Sequence, residues 1–492
     1  MEINRRKVLR LIALTLICMG AMMAPPLILS LGENDPQTTK AFLYPLAISV
    51  SIGLSLFFFV PPNVRALKIR DGYISIFTIL LTSILVGAFP YWMGLDGCSF
   101  ITAIFESTAG ITTTSATVYL ETLMPTSMLL WKSIEHWIGG ICVLIFILSV
   151  LPVLGNGDQQ LSTAESHGTL LNKVAPRTNV IIRYVIVIYI IMTLISFIYF
   201  YVVKAGAFDS LILALSTVST SGVQLHPEGI SYYGSTAIEM GVTIFCLISG
   251  MNYVLFVQMY KRNFRAVADN MELKAYLSII AAATIIITFV LYTTENNNKD
   301  FSDSLKDSFF QVTSFMTTSG FALEDYMLWP SICIFILISL MIIGGCTAST
   351  TGSLKVLRLL IIVKLISRGI TKRIHPRAVK TLKVGHSKIS AKMVSSVTSF
   401  GVIFFATLLF STWLLSMQNL DLETTFSAAL GAISNDGISF GQIGMNGDYS
   451  IFHPLLQLYL CFLMVVGRLG LMTVFIVFLP SFWNPNKKVN IQ

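Results

Sequence analysis

Four short polar clusters interrupt an otherwise apolar chain, and they carry the residue types most suited to chemistry. They read T-T-T-S-A-T-V from Thr112 to Val118, S-T-S-G-V from Ser219 to Val223, T-T-S-G-F from Thr317 to Phe321, and S-N-D-G-I from Ser434 to Ile438. Laid over one another they share an anchor at Ser115, Gly222, Gly320 and Gly437. It is preceded by Thr113 and Thr114, Thr220 and Ser221, Thr318 and Ser319, and Asn435 and Asp436. Irregular backbone at membrane depth is tolerated only where protein buries it or where it lines water. Glycine admits positive φ, so carbonyl oxygens can turn toward one axis. Stacked rings of such oxygens can replace the water shell of a dehydrating cation. Four turns from one chain would complete such a pore.

The elements that must position these clusters are legible in hydropathy. About 20 apolar residues cross a hydrocarbon core as a helix. Ten stretches approach that length: 9–31, 42–62, 73–94, 129–152, 180–203, 233–258, 274–293, 330–365, 394–416 and 453–480. The polar, glycine-rich interruption of the eighth predicts a broken helix, and only there. Segments 99–112, 208–219, 305–318 and 421–434 each end in a polar cluster. As helices rising ~1.5 Å per residue they reach about 20 Å, too short to span. Span, half-helix, polar turn, span therefore recurs four times, an internal repeat. The predicted fold class is an all-α membrane protein. Four tandem helix–pore-loop–helix repeats stand in a pseudo-fourfold array around one pore, after two extra N-terminal transmembrane helices. The expected units are 1–64, 65–160, 161–265, 266–375 (with the broken second helix) and 376–492.

Composition agrees. Of 492 residues, 54% are hydrophobic and 12% charged, about half the charged share of soluble domains. The net charge of +8 is confined largely to short loops beside apolar runs, which argues against a nucleic-acid partner and for a lipid bilayer. The N-terminus, Arg65-Lys68-Arg70, Lys173-Arg177, Lys261-Arg262-Arg265, Lys364 to Lys392 and Lys487-Lys488 fall on one side of ten alternating helices. The positive-inside rule puts that side, with both termini, in the cytoplasm. The run 9–31 reads as an uncleaved span rather than a signal peptide. Seven scattered cysteines show neither a disulfide framework nor zinc spacing. Neither H-E-x-x-H nor a phosphate-binding G-x-x-x-x-G-K-[ST] occurs, and no nucleophile–base set suggests an enzyme.

Other polar residues compete for attention. Asp209 and Asp307 both lie thirteen residues before an anchor, near half-helix starts, where an acid complements the dipole. Glu106 either attracts cations or ties its half-helix to nearby backbone. Glu135, His136 and Glu239 are ionisable groups within or near spans. Asp436 either concentrates cations or is a solvated acid. Arg468 lies in the last span, where a charge costs ~2.5–3.5 kcal/mol on insertion scales and normally meets a cavity or partner. It is either a pore residue or half of a structural ion pair. The Gly344–Ser353 loop, with Gly345, Thr347, Ser349, Thr350 and Gly352, is polar backbone in an apolar span and should line the conduit.

These residues resemble the Trk/Ktr/HKT superfamily of potassium transporters. F-E-S-T-A-G-I-T-T-T-S-A-T-V from Phe105 to Val118 is the most specific match, followed by Trp137-Gly139-Gly140 and Pro176-Arg177. G-G-C-T-A-S-T-T-G-S-L-K from Gly344 to Lys355 is similar to the family's intramembrane loop, and Arg468 matches the arginine set against it. The resemblance runs from about Arg65 to Pro480, and the two additional spans are those of the Trk-type bacterial membrane subunit. It implies K⁺ as the transported ion, no bound cofactor, a homodimer, and a cytosolic nucleotide-binding ring of the TrkA type. It also implies a gate at the loop and Arg468, and a place in the bacterial cytoplasmic membrane. The stretch Lys364–Lys392, with nine basic residues and no acid, is either the docking surface for that ring or ordinary loop charge against anionic lipid. Ser115 departs from the family's glycine. By analogy with plant relatives, serine there leaves Na⁺ conduction open beside K⁺.

Overall fold

Apolar side chains outnumber what a protein interior can hide, and the helices present the surplus outward. Leu, Ile, Val and Phe are exposed along Pro36–Phe59, Thr178–Val202 and Met271–Thr293, among them Phe58, Ile195 and Phe289. The computed structural model describes residues 4–61, 69–150, 178–294, 300–377, 381–385, 387–445, 447–478 and 482. Seven described helices are long and apolar enough to cross a membrane, nine if two sharply bent pairs each count as one span. The eighth expected stretch, 330–365, is divided between Ser331–Ile343 and Val356–Ile374. Arg65, Lys68, Pro176-Arg177, Lys380 and Lys487-Lys488 lie outside the described residues.

Arg5–Met22 continues into Ala24–Glu33, where prolines stand at the first positions and need no intrahelical donor. This pair packs on Pro36–Phe59 and Ile69–Gly94. Four units follow, each with a spanning helix, a half-helix and a returning helix. The spans are Ile69–Gly94, Thr178–Val202, Met271–Thr293 and Ala391–Ser416. The half-helices are Phe100–Thr112, Ala207–Ser219, Phe301–Met316 and Leu422–Ser434. The third starts earlier than its polar pattern suggests, so Asp307 lies in its second turn and Asp303 takes the first. The returning helices are Thr126–Val150, Thr236–Ser249, Ser331–Ile343 and Pro454–Leu469.

The packing closes into a ring. Each half-helix lies between the returning helix of its own unit and that of the preceding unit, and the first contacts Pro454–Leu469 of the fourth. Four elements related in this way must face one another across a common centre.

The expectation of a single broken helix needs correction. In the second unit, Thr236–Ser249 turns by 88° into Tyr253–Tyr260, and in the fourth, Pro454–Leu469 turns by 112° into Leu471–Val477. Thr126–Leu148 of the first unit is an unbroken span. These two breaks are only one to three residues wide and carry little polarity, so hydropathy passes over them; the third is twelve residues wide. Among the described residues strand pairing is confined to Lys383–Val384 with Ser387–Lys388 and an isolated parallel bridge between Thr117 and Asp448.

Candidate functional site

Each half-helix ends in the same local turn. The residue two before each anchor is left-handed: Thr113, Thr220, Thr318 and Asn435, with φ of 53°, 53°, 50° and 58°. The next N–H reaches back five residues: Thr114 to Ala109 O (2.8 Å), Ser221 to Ser216 O (2.9 Å), Ser319 to Ser314 O (3.0 Å) and Asp436 to Gly431 O (3.1 Å). This is the Schellman closure of a helix C-terminus. It usually uses glycine at the left-handed position. A β-branched residue there costs of order 1–3 kcal/mol and persists only where its surroundings over-determine it. The recurring positive φ thus sits two residues ahead of the place where the glycines suggest it.

The anchors themselves divide into two pairs. Gly320 and Gly437 have φ of 72° and 95°, whereas Ser115 and Gly222 are outside the left-handed region. All four converge. A Cβ on Gly222 would lie 2.4 Å from Gly320 C, and one on Gly437 would lie 2.3 Å from Ser115 C. Ser115 fits because its backbone needs no left-handed φ and its hydroxyl has two partners. Its Oγ donates to Ser319 O at 2.9 Å and accepts from Gly222 N–H at 2.7 Å. Its N–H donates to Asp436 O at 3.0 Å. Ser115 therefore joins all three other turns, and its hydroxyl reaches the unit opposite in the ring. Fourfold regularity is lost, but through the division of the anchors as well as through this side chain.

The wall behind the first turn is ionic. Glu106 Oε1 accepts the N–H groups of Val118 (2.6 Å) and Tyr119 (3.0 Å) and the Thr117 hydroxyl (2.9 Å). Of the two readings of Glu106, the bonds seen are those of the backbone tie. Lys132, fully buried, bridges Glu106 and Glu121 at 2.7 Å each. Glu121 in turn accepts the N–H of Gln224, two residues past the second anchor. Neither Lys132 nor Glu121 stood out in the sequence. The (i, i+26) spacing of Glu106 and Lys132 has no helical signature, and only the fold makes them neighbours. Glu135 accepts from Tyr91 (2.7 Å) and Ser107 (2.8 Å), bracing the same half-helix from another side. His136 is fully buried beside it, and among the described residues neither ring nitrogen has a hydrogen bond. Glu239 pairs with Lys306 at 3.0 Å, away from the four turns. Asp209 accepts from Tyr233 (2.8 Å) and pairs with His226 (3.1 Å).

The fourth turn is backed differently. Tyr449 donates to Gly437 O (3.0 Å) and Tyr326 to Ser439 O (2.7 Å). Asn435 donates to Thr114 Oγ1 (3.1 Å) and Met464 O (2.9 Å). Asp436 is fully buried rather than solvated, and among the described residues its carboxylate oxygens make no hydrogen bond of good geometry, although the Gly320 amide is close by. Outside the spans, Asp421 caps this half-helix. Hydrogen bonds from the Thr424 N–H and hydroxyl hold its carboxyl below the usual carboxylate range.

The loop that interrupts the third returning helix folds directly against the turns. Gly352 N–H donates to Thr318 Oγ1 (2.9 Å), and Thr220 Oγ1 to Thr350 Oγ1 (3.1 Å). A Cβ on Gly352 would overlap Ser434 O at 1.7 Å. Arg468, 6% exposed, donates from Nη1 to Thr350 O at 2.7 Å, while its Nε and Nη2 make no hydrogen bond among the described residues. No carboxylate pairs with it there, so the ion-pair reading of Arg468 gives way to a loop contact. Gly344 carries φ of 73° as its helix ends, and Gly345 O accepts from Val356 N–H at 3.1 Å. Ser349 donates to Cys346 O (2.5 Å), and Ser353 bonds to Met341 O. Lys355, the last residue of the loop motif, returns to Thr351 Oγ1 at 2.8 Å. Every filter and gate candidate named from the sequence lies in this one assembly, while Asp209, Asp307 and Glu239 do not.

Comparison with known proteins agrees with this architecture. A family profile described as TrkH, cation transport protein, matches residues 39–485. The chain is 30% identical to the Trk system potassium uptake protein TrkH of Salmonella typhimurium, over 97% of this chain and 99% of that one. It is 29% identical to TrkG of Escherichia coli, over 94% and 95%. The crystal structure of the potassium transporter TrkH from Vibrio parahaemolyticus superposes with a TM-score of 0.88 at 24% identity, covering 98% of this chain and 100% of that one. The chain belongs to the TrkH family of cation transport proteins.

Proposed function

We propose that this chain takes up potassium across a bacterial cytoplasmic membrane by channel-like permeation through the four convergent turns. The observation that carries the reading is that convergence. Four short helices point their C-terminal ends, and hence the negative ends of their dipoles, at one centre, where backbone carbonyls gather. In this reading Thr113–Ser115, Thr220–Gly222, Thr318–Gly320 and Asn435–Gly437 form the selectivity filter and hold K⁺ in transit. The units 65–160, 161–265, 266–375 and 376–492 each supply one quarter. The loop residues Gly344, Gly345, Thr347, Ser349, Thr350, Gly352 and Ser353 form the gate with Arg468. Relatives named as Trk system potassium uptake proteins support K⁺ as the ion. A homodimer, a TrkA-type regulatory ring and cytoplasmic termini complete the proposal.

One observation favours a second reading of the ion. Ser115 puts a hydroxyl where carbonyls alone would face a cation, and it takes up Ser319 O. Such a ring suits Na⁺ as well as K⁺, either permeating or coupled. Flux into liposomes containing the purified protein, with K⁺ and Na⁺ compared before and after Ser115→Gly, decides between them. A rise in K⁺ preference supports the first reading with Ser115 as its modifier. Absence of flux for either ion, regulator present, overturns permeation altogether. Flux in fixed stoichiometry with H⁺ or Na⁺ would instead mean coupled transport.

A further inference from the structure

We infer that Glu272 is a positioning residue that latches the intramembrane loop shut, an inference that rests on the gate reading above. Glu272 is 3% exposed, in the first turn of Met271–Thr293. Its Oε1 accepts the Thr347 N–H at 2.6 Å, and both carboxylate oxygens lie within reach of the Thr347 hydroxyl, at 2.9 and 2.8 Å. A carboxylate holding a backbone N–H and a hydroxyl makes charge-assisted bonds, roughly twice as strong as neutral ones.

The latch belongs to a larger clamp. Cys346 N–H donates to Gly250 O (2.9 Å) and Ala348 O accepts from Tyr253 N–H (3.0 Å). The first leg of the loop, Cys346–Ala348, is thus gripped by both ends of one chain segment, Gly250–Tyr253 and Glu272. Between those ends run Tyr253–Tyr260, Phe264–Ala268 and the basic residues Lys261, Arg262 and Arg265. In the proposed orientation this stretch is cytosolic, so displacing it would pull on the loop at both points. The second leg, Thr350–Ser353, meets the filter turns and Arg468 instead.

The loop also has reason to move once released. Ala348, Ser353 and Lys355 are left-handed, with φ of 52°, 66° and 75°. Non-glycine residues hold such conformations only under constraint, and strain of this kind gathers at switching segments. Removing the Thr347 bonds shifts a closed–open equilibrium by what those bonds contribute, about five- to tenfold in open population.

The test uses full-length protein in liposomes, with regulator-free K⁺ flux and K⁺/Na⁺ preference measured together. Reaction of the native, buried Cys346 with a soluble thiol reagent, followed by mass spectrometry, reports loop release. Glu272→Ala and Thr347→Val should each raise flux and Cys346 reactivity about fivefold or more, leaving ion preference unchanged. The double variant should exceed neither single by more than about twofold, because both remove one interaction. Glu272→Gln retains an acceptor for the Thr347 N–H and should restore near-original behaviour even if Glu272→Ala folds poorly. Flux and reactivity unchanged or lowered in both Glu272→Ala and Thr347→Val, while Arg468→Ala raises them, would overturn the latch and leave the gate standing. No change in any of the three would overturn the gate as well.

Discussion

The first and fourth turns share a backbone and differ in what stands behind it. Thr113 and Asn435 have nearly the same φ, and Thr114 and Asp436 make the same reach-back bond. Behind the first, Glu106, Lys132 and Glu121 form a buried ionic chain that extends to the second turn through Gln224. Behind the fourth stand neutral hydroxyls, from Tyr449, Tyr326 and Ser439, together with the carboxyl of Asp436. Local turn geometry is therefore independent of the chemistry that braces it. The bracing decides how firmly each turn is held.

The largest effect should come from breaking the ionic wall. Lys132→Ala leaves two buried carboxylates facing each other, and loss of one partner from a buried pair costs about 3–5 kcal/mol. Thermal unfolding in detergent should show a severely destabilised protein, and a shift like that of an exposed lysine would contradict the buried bridge. Next, Ser115→Gly removes the hydroxyl that joins the first turn to the second and third. K⁺ flux relative to Na⁺ should rise by about tenfold, corresponding to loss of a contact worth ~1.4 kcal/mol in selectivity. An unchanged ratio would mean that the hydroxyl stands aside during permeation.

On the neutral side, Tyr449→Phe deletes the bond to Gly437 O and a longer hydroxyl contact with Ser439. The expected loss is about 0.5–1.5 kcal/mol, measurable as a modest fall in thermal midpoint with flux retained. A collapse comparable to that of Lys132→Ala would show the neutral wall to be as demanding as the ionic one. The smallest effect concerns the caps. The Ser99 hydroxyl caps the first half-helix by accepting from Thr102 N–H (3.1 Å), whereas the Asp421 carboxylate caps the fourth by accepting from Thr424 N–H (2.9 Å). The carboxyl of Asp421 is held low, so its stabilisation is complete above the ordinary aspartate pKa of about 3.9 and fades as pH falls through the lower folded value. Asp421→Asn should flatten that part of the acid-stability profile, and an identical profile in both proteins would remove Asp421 as its source.

Much of this was legible from local pattern. A dozen apolar residues ending in Thr-Ser-Gly announces a half-helix, because length, hydropathy and cap chemistry act over one or two turns of chain. The loop from Gly344 to Lys355 is equally plain, since twelve residues of small and polar type cannot continue an apolar span. Asp307 shows the limit of such reading. Equal distance from an anchor suggested a role equal to that of Asp209, but the third half-helix begins one turn earlier and places Asp303 first.

The sequence by itself determined membrane residence, the fourfold recurrence, the interrupted third helix and the residues that gather at the centre. Each follows from interactions among near neighbours, where hydropathy and backbone preference act without knowledge of the rest of the chain. Tertiary structure alone decided that Lys132 neutralises Glu106, that Ser115 reaches Ser319, and that Glu272 holds Thr347. Those partners lie 26, 204 and 75 residues apart. Closure of the ring, with the first half-helix against the fourth unit, brings distant turns to one point and leaves buried polar groups no water to turn to. Each must find a protein partner there or remain unpaired, and which partner it finds is a property of the assembled ring.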